Sequence, residues 1–144
     1  MKKRYWSLAA SALALALASC SGTTLAGTGN EKKVAIASGK AQQGKASWYG
    51  ARFHGRKTAS GERYNMNAYS AAHRSHAFGT KICVRNTRNG KGVALRVNDR
   101  GPFIRGRVVD VSRVAANRLG MVRSGVVPVR VYVVDKTTKS GSNC

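Results

Sequence analysis

Glycine punctuates this chain at short intervals, at Gly50, Gly55, Gly61, Gly79, Gly90, Gly92, Gly101, Gly106, Gly120 and Gly125. Such spacing leaves room for short strands joined by tight turns, and little for helices long enough to cover a core. A small β-rich barrel or sandwich is the expected fold. In "NGKGVALRVND", Asn89-Gly90 is a turn signal, and Val93, Leu95 and Val97 alternate with Ala94, Arg96 and Asn98. "GRVVDVS" and "VPVRVYVV" carry the same β-branched character, with Val129, Val131 and Val133 alternating against Arg130 and Tyr132. One helix is predicted over "SRVAANRLG", with Ser112 as its cap and Gly120 ending it. A second, shorter helix is predicted over "NAYSAAHRS".

The first 19 residues do not belong to that core. Lys2, Lys3 and Arg4 precede an apolar run from Leu8 to Leu17, the pattern of a secretory signal. The run is too short to span a bilayer, which takes about 20 residues. "LASC" resembles a bacterial lipobox, so Cys20 is expected to be lipidated and to anchor the mature chain to a membrane. Ser21, in place of an acidic residue, implies by resemblance to lipoprotein sorting signals the outer membrane, facing the periplasm. Residues 20–43 are rich in Gly, Ser, Thr and Ala and read as a flexible tether. The folded domain is expected over 44–135, with a tail over 136–144.

The formal net charge is +21. Charge of that sign usually points to nucleic acid, but export excludes it and leaves cell-wall polymers and phospholipid head groups as anionic partners. Cys83 and Cys144 remain after Cys20, and an oxidising compartment permits a disulfide between them. There is no C-x-x-C, and His54, His73 and His76 form no zinc-type spacing with either cysteine, so neither metal nor cofactor is implied.

In so basic a chain the acidic residues stand out: Glu31, Glu62, Asp99, Asp110 and Asp135. Asp99 continues the parity of Val93, Leu95 and Val97, so an unbroken strand would carry its carboxylate to the rim of the core. That is the setting of a general acid. Its rival role is to cap the turn before Gly101-Pro102. Asp110, two residues before Ser112, is expected to satisfy amides of the helix's first turn.

The stretch from Gly44 to about Asp135 contains, in order, "ASWYG", "FHGR", "TASGE", "AAHR", "FGT" and "NDRGPF". It resembles the rare lipoprotein A family of exported lipoproteins. The resemblance implies a mainly β fold, a six-stranded double-psi β-barrel with one or two short helices. It also implies endolytic lytic transglycosylase activity on peptidoglycan glycan strands that lack stem peptides, leaving 1,6-anhydromuramic ends. Residue by residue it implies Asp99 as general acid/base, with Glu62 and His73 in the same groove. The barrel is similar to that of expansins and family 45 endoglucanases, which makes Asp110 a second candidate. Sugar stacking and hydrogen bonding fall to Trp48, Tyr49, Arg52, Phe53, Tyr64 and Arg100. A cell-wall amidase or a division protein is the class of protein partner implied. Two departures matter. Asn65 stands where many members carry an acid, and no C-terminal glycan-binding repeat domain precedes Cys144. A non-catalytic or expansin-like wall-binding lipoprotein is therefore the alternative.

Overall fold

The computed structural model describes residues 39–144; the signal segment, Cys20 and most of the tether lie outside the described residues. Six strands close into a barrel in the order β1-β5-β2-β4-β3-β6. They are β1 (Gln42–Trp48), β2 (Ser70–His73), β3 (Lys81–Asn86), β4 (Gly92–Asp99), β5 (Arg107–Val111) and β6 (Val127–Val133), with one helix, α1 (Arg113–Arg118). The β1–β5 and β2–β4 pairs are parallel and the other four antiparallel. A six-stranded barrel is narrow enough for side chains alone to fill it. Period-two alternation supplies them: Ile82 and Val84, Val93, Leu95 and Val97, Val109 and Val111, Val127, Val129 and Val131 are all buried.

Helix α1 closes over this interior with Ala115 and Ala116, followed by Leu119 and Met121, all buried. Its end is a Schellman motif. The Gly120 amide donates to Asn117 O and the Met121 amide to Ala116 O, with Gly120 at φ 65°. Asn86 and Asn89 each donate through Nδ2 to the carbonyl of Leu119, tying the β3–β4 turn to the helix end. Ser112 sits at the N-cap, but its hydroxyl accepts the Ser70 amide at 3.5 Å and caps nothing in the helix.

The second predicted helix is not formed: Ser70–His73 is strand β2, buried throughout, and the residues before it are turn. Its alanines favour a helix locally. The slot between β4 and β5 admits only a short strand of small residues, and that pairing overrides propensity.

Cys83 is disulfide-bonded to Cys144, with Cα atoms 5.9 Å apart. β2 pairs with β4 only from Arg96 onward, which leaves the nearer half of that edge bare. The segment before Cys144 covers it: the Ala94 amide donates to Ser142 O at 2.9 Å and the Gly141 amide to Ala94 O at 2.7 Å. A side chain at Gly92 would collide with the Cys144 backbone, so glycine is required there. All six strands, the helix and the disulfide lie within 42–144, so this segment holds its own core and can fold by itself.

Candidate functional site

The site lies where β4 ends. The expected unbroken register does not reach Asp99. Val97 pairs with Ala71 but Asp99 with Ala72, so the ladder gains a residue at Asn98. A bulge of this kind bends the strand and re-aims the side chain that follows it. Asn98 is buried and Asp99 is half-buried. Ala72 also pairs with Asp110 on β5, so the two aspartates flank β2, about 10 Å apart at Cα from two strand spacings.

Asp99 receives three hydrogen bonds. The amides of Ala59 and Arg100 both donate to Oδ1 at 2.8 Å, and the Tyr49 hydroxyl donates to Oδ2 at 3.0 Å. A carboxylate oxygen offers two lone pairs. Oδ1 is saturated and Oδ2 retains one, so proton transfer to or from a ligand falls to Oδ2. Burial, then the neighbouring Asp99, raise the Tyr49 phenol above its ordinary value, which keeps it a neutral donor. Its ring stands 5.7 Å from Phe53 and 5.1 Å from Tyr64 between centroids. Arg52 and Arg56 lie 4.9 and 5.7 Å over the Phe53 ring.

Glu62 does not reach Asp99 directly. It accepts both guanidinium nitrogens of Arg96 at 2.7 Å, and Asn98 Nδ2 at 3.3 Å. The Arg96 bonds hold its carboxyl below the usual range. Arg96 and Asn98 belong to β4, so Glu62 clips the 57–63 loop to that strand. The Ser60 amide, donating to Asn98 O, is a second tie. The clipped loop is what delivers the Ala59 amide to Asp99.

His73 is buried. Its Nδ1 accepts the Ser75 and His76 amides at 3.2 Å, so Nε2 carries the proton and donates to Gln42 Oε1 at 2.8 Å. Burial first, then His76, Arg100 and Arg74, push it down to about 4. It is neutral near pH 7 and shapes a turn. The carbonyls of His73 and His76 accept Arg100 Nη1 at 3.3 and 2.8 Å, and that guanidinium also lies 3.9 Å over Phe78.

Asp110 does not cap α1. Its Oδ1 accepts Ser47 Oγ at 2.6 Å and is ion-paired to Arg107, because β1 and β5 bring those side chains to it before the helix begins. Trp48 packs against the core, and Tyr64 is buried with its hydroxyl accepting the Arg113 amide at 3.3 Å. Asp99, Tyr49, Phe53 and Arg52 thus form one contiguous surface. Glu62, His73 and Arg100 hold its loops, and Trp48 and Tyr64 support it from below. The Ala59 amide was not legible in sequence: a backbone donor has no residue signature, although the Thr58-to-Glu62 turn that carries it lies within "TASGE".

A family model described as lytic transglycolase matches residues 41–131. The endolytic peptidoglycan transglycosylase RlpA of Neisseria meningitidis serogroup B is 56% identical over 90 residues, 62% of this chain and 38% of that protein. A probable endolytic peptidoglycan transglycosylase RlpA of Nostoc is 58% identical over 96 residues, 65% of this chain and 26% of that one. The chain thus matches well under half the length of these relatives. Among solved structures, a Clavibacter michiganensis expansin in complex with cellohexaose superposes with TM-score 0.56 at 19% identity, covering 69% of this chain and 53% of that one. The Streptomyces papain inhibitor gives 0.55 at 22%, covering 69% and 99%. The fold agrees, and the sequence match extends from β1 into β6, across Asp99, Glu62 and the loops that join them: the chain belongs to the rare lipoprotein A family of double-psi β-barrel proteins.

Proposed function

We propose that this barrel is an endolytic lytic transglycosylase that cuts the glycan strands of peptidoglycan, with Asp99 as its one acid and base. The carrying observation is the asymmetry of the Asp99 carboxyl, saturated at Oδ1 and open at Oδ2, beside the Tyr49–Phe53 surface. Ordinary glycosidases need two carboxylates. Here Oδ2 protonates the glycosidic oxygen as the bond to muramic acid C1 breaks. The sugar's own C6 hydroxyl then adds to C1 and returns its proton to Oδ2, closing the 1,6-anhydro ring without water. The nucleophile is already part of the substrate, so positioning supplies much of the rate. Relatives named endolytic peptidoglycan transglycosylase support this reading.

Charge supports a preference for strands without stem peptides. Removing the peptide frees the lactyl carboxylate of each muramic acid, and the substrate becomes a polyanion meeting Arg52, Arg56 and a strongly basic chain. An amidase reaction must then supply the substrate. Lipidation at Cys20 would hold the barrel at the outer membrane facing the periplasm, within reach of the wall.

The test is product analysis. Residues 39–144 incubated with peptide-free glycan strands are expected to release anhydro-muramic ends, and Asp99→Asn to lose at least about 100-fold in rate. Binding without cleavage by the parent makes this a wall-binding module. Cleavage persisting in Asp99→Asn moves the acid elsewhere, with Asp110→Asn the next variant.

A further inference from the structure

The "NDRGPF" motif ends in residues that the chemistry at Asp99 leaves unused. Gly101 and Pro102 are buried, yet Phe103 is 81% exposed and Ile104 57%, the most exposed large apolar side chains among the described residues. Exposed single apolar residues are ordinary on a protein surface, and what sets these two apart is where they are held. This loop is pinned. The Arg74 guanidinium donates to the carbonyl of Pro102, and at 2.9 Å to those of Ile104 and Arg107. The Arg107 amide adds a bond to Ile104 O at 3.2 Å. Arg100 reciprocates, reaching from the end of β4 to the turn after β2. Two arginines thus cross-brace the loops that follow β2 and β4.

The brace holds an aromatic face in water at a defined place. The Phe103 ring lies beside Gly101, where a Cβ would fall 3.6 Å from its Cε2, and Gly101 is two residues beyond Asp99. We propose that Phe103, with Ile104 beside it, is a sugar-stacking subsite that seats a pyranose ring of the glycan strand next to the bond broken at Asp99. The inference rests on the glycan reading above. A strand passes the acid in both directions, and the Tyr49–Phe53 surface, on the loop after β1, lines one approach to the carboxylate. Phe103 stands on the loop that follows β4, its ring beside Gly101 and open to solvent. An aromatic face suits the C–H side of a pyranose, and Arg105 stands next to Ile104 for its hydroxyls or lactyl carboxylate. A bilayer is the weaker occupant, since inserting this tip would press Asp99 against an anionic surface.

The test uses residues 39–144 carrying Asp99→Asn, so that binding is read without turnover. Phe103→Ala is expected to weaken binding to peptide-free glycan strands about tenfold, and Phe103→Trp to retain it. In the otherwise unchanged sequence, Phe103→Ala is expected to raise KM with kcat within about twofold. Because the side chain is exposed, the melting temperature should stay within about 1 °C. Equal glycan affinity of the Phe103→Ala and parental proteins overturns the subsite while leaving the enzyme reading intact. So does a loss confined to vesicles of anionic phospholipid, which assigns the tip to membrane. A parent that binds glycan through Phe103 but never cleaves it keeps the subsite and removes the enzyme reading. Failure of the parent to bind glycan removes both.

Discussion

Glu62→Gln opens the clip between the 57–63 loop and β4 without changing the size of the side chain. It removes the charge behind two 2.7 Å bonds from Arg96 and a 3.3 Å contact from Asn98. The two side chains are 37% and 44% exposed. Such a pair contributes at most about 1 kcal/mol to stability, so the melting temperature should fall by no more than about 5 °C. The larger effect is on the Ala59 amide, now 2.8 Å from Asp99. A hydrogen bond to a charged acceptor is worth about 1.5–3 kcal/mol, so releasing the loop should cost about 10- to 150-fold in kcat and leave KM within about threefold. Arg96→Met opens the same clip from the strand side, and the double variant should be no worse than the poorer single. The assay is the rate of anhydro-end release from peptide-free strands, run beside amide hydrogen exchange at Ala59, which should quicken in all three variants. A loss of about 10,000-fold in Glu62→Gln, with Ala59 exchange unchanged, would refute the reasoning and put Glu62 in contact with the reacting atoms.

Two further outcomes test the frame around the site. The Cys83–Cys144 bond closes a loop of separation 61, worth about 4 kcal/mol on chain entropy. Reduction should therefore lower the melting temperature by about 20 °C in a domain of this size, and a fall under about 5 °C would mean that the hydrogen bonds at Ala94 hold the last residues without it. His73 gives a signed pH dependence. The unfolded chain takes up its proton near pH 6.5 and the folded protein only near about 4, so between those values the unfolded state binds more protons. Stability is therefore full above about pH 6.5 and falls as pH drops through that window. His73→Asn, whose Oδ1 can accept the Ser75 and His76 amides in place of Nδ1, should flatten this slope in urea titrations at stepped pH. An unchanged slope would assign the effect to another group.

Much of the barrel is legible in sequence because its signals are local. Valine alternation marks the inward faces of β4 and β6, Asn89-Gly90 marks the turn from β3 into β4, and Gly120 ends the helix. Strand β2 is not legible. Ser70–His73 is four residues of helix-tolerant composition, made a strand only by β4 and β5 on either side. The site divides the same way. The carboxyl and aromatic residue types of Asp99, Glu62, Tyr49 and Phe53 can be picked out along the chain, whereas their division of labour depends on partners far away in sequence.

By itself the sequence determined a strongly basic chain with a small β fold and few carboxylates, because charge and period-two burial are properties of neighbouring residues. Tertiary structure decided which oxygen of Asp99 is left open, that Glu62 clips a loop and His73 shapes a turn, and that Asp110 is spent on Arg107. Each draws on a contact distant in sequence: Ala59 to Asp99 over 40 residues, Arg96 to Glu62 over 34, His73 to Gln42 over 31, and Ser47, which shares Asp110 with Arg107, over 63. A carboxylate's chemistry is set by the donors around it, and here the closed strand order brings them together.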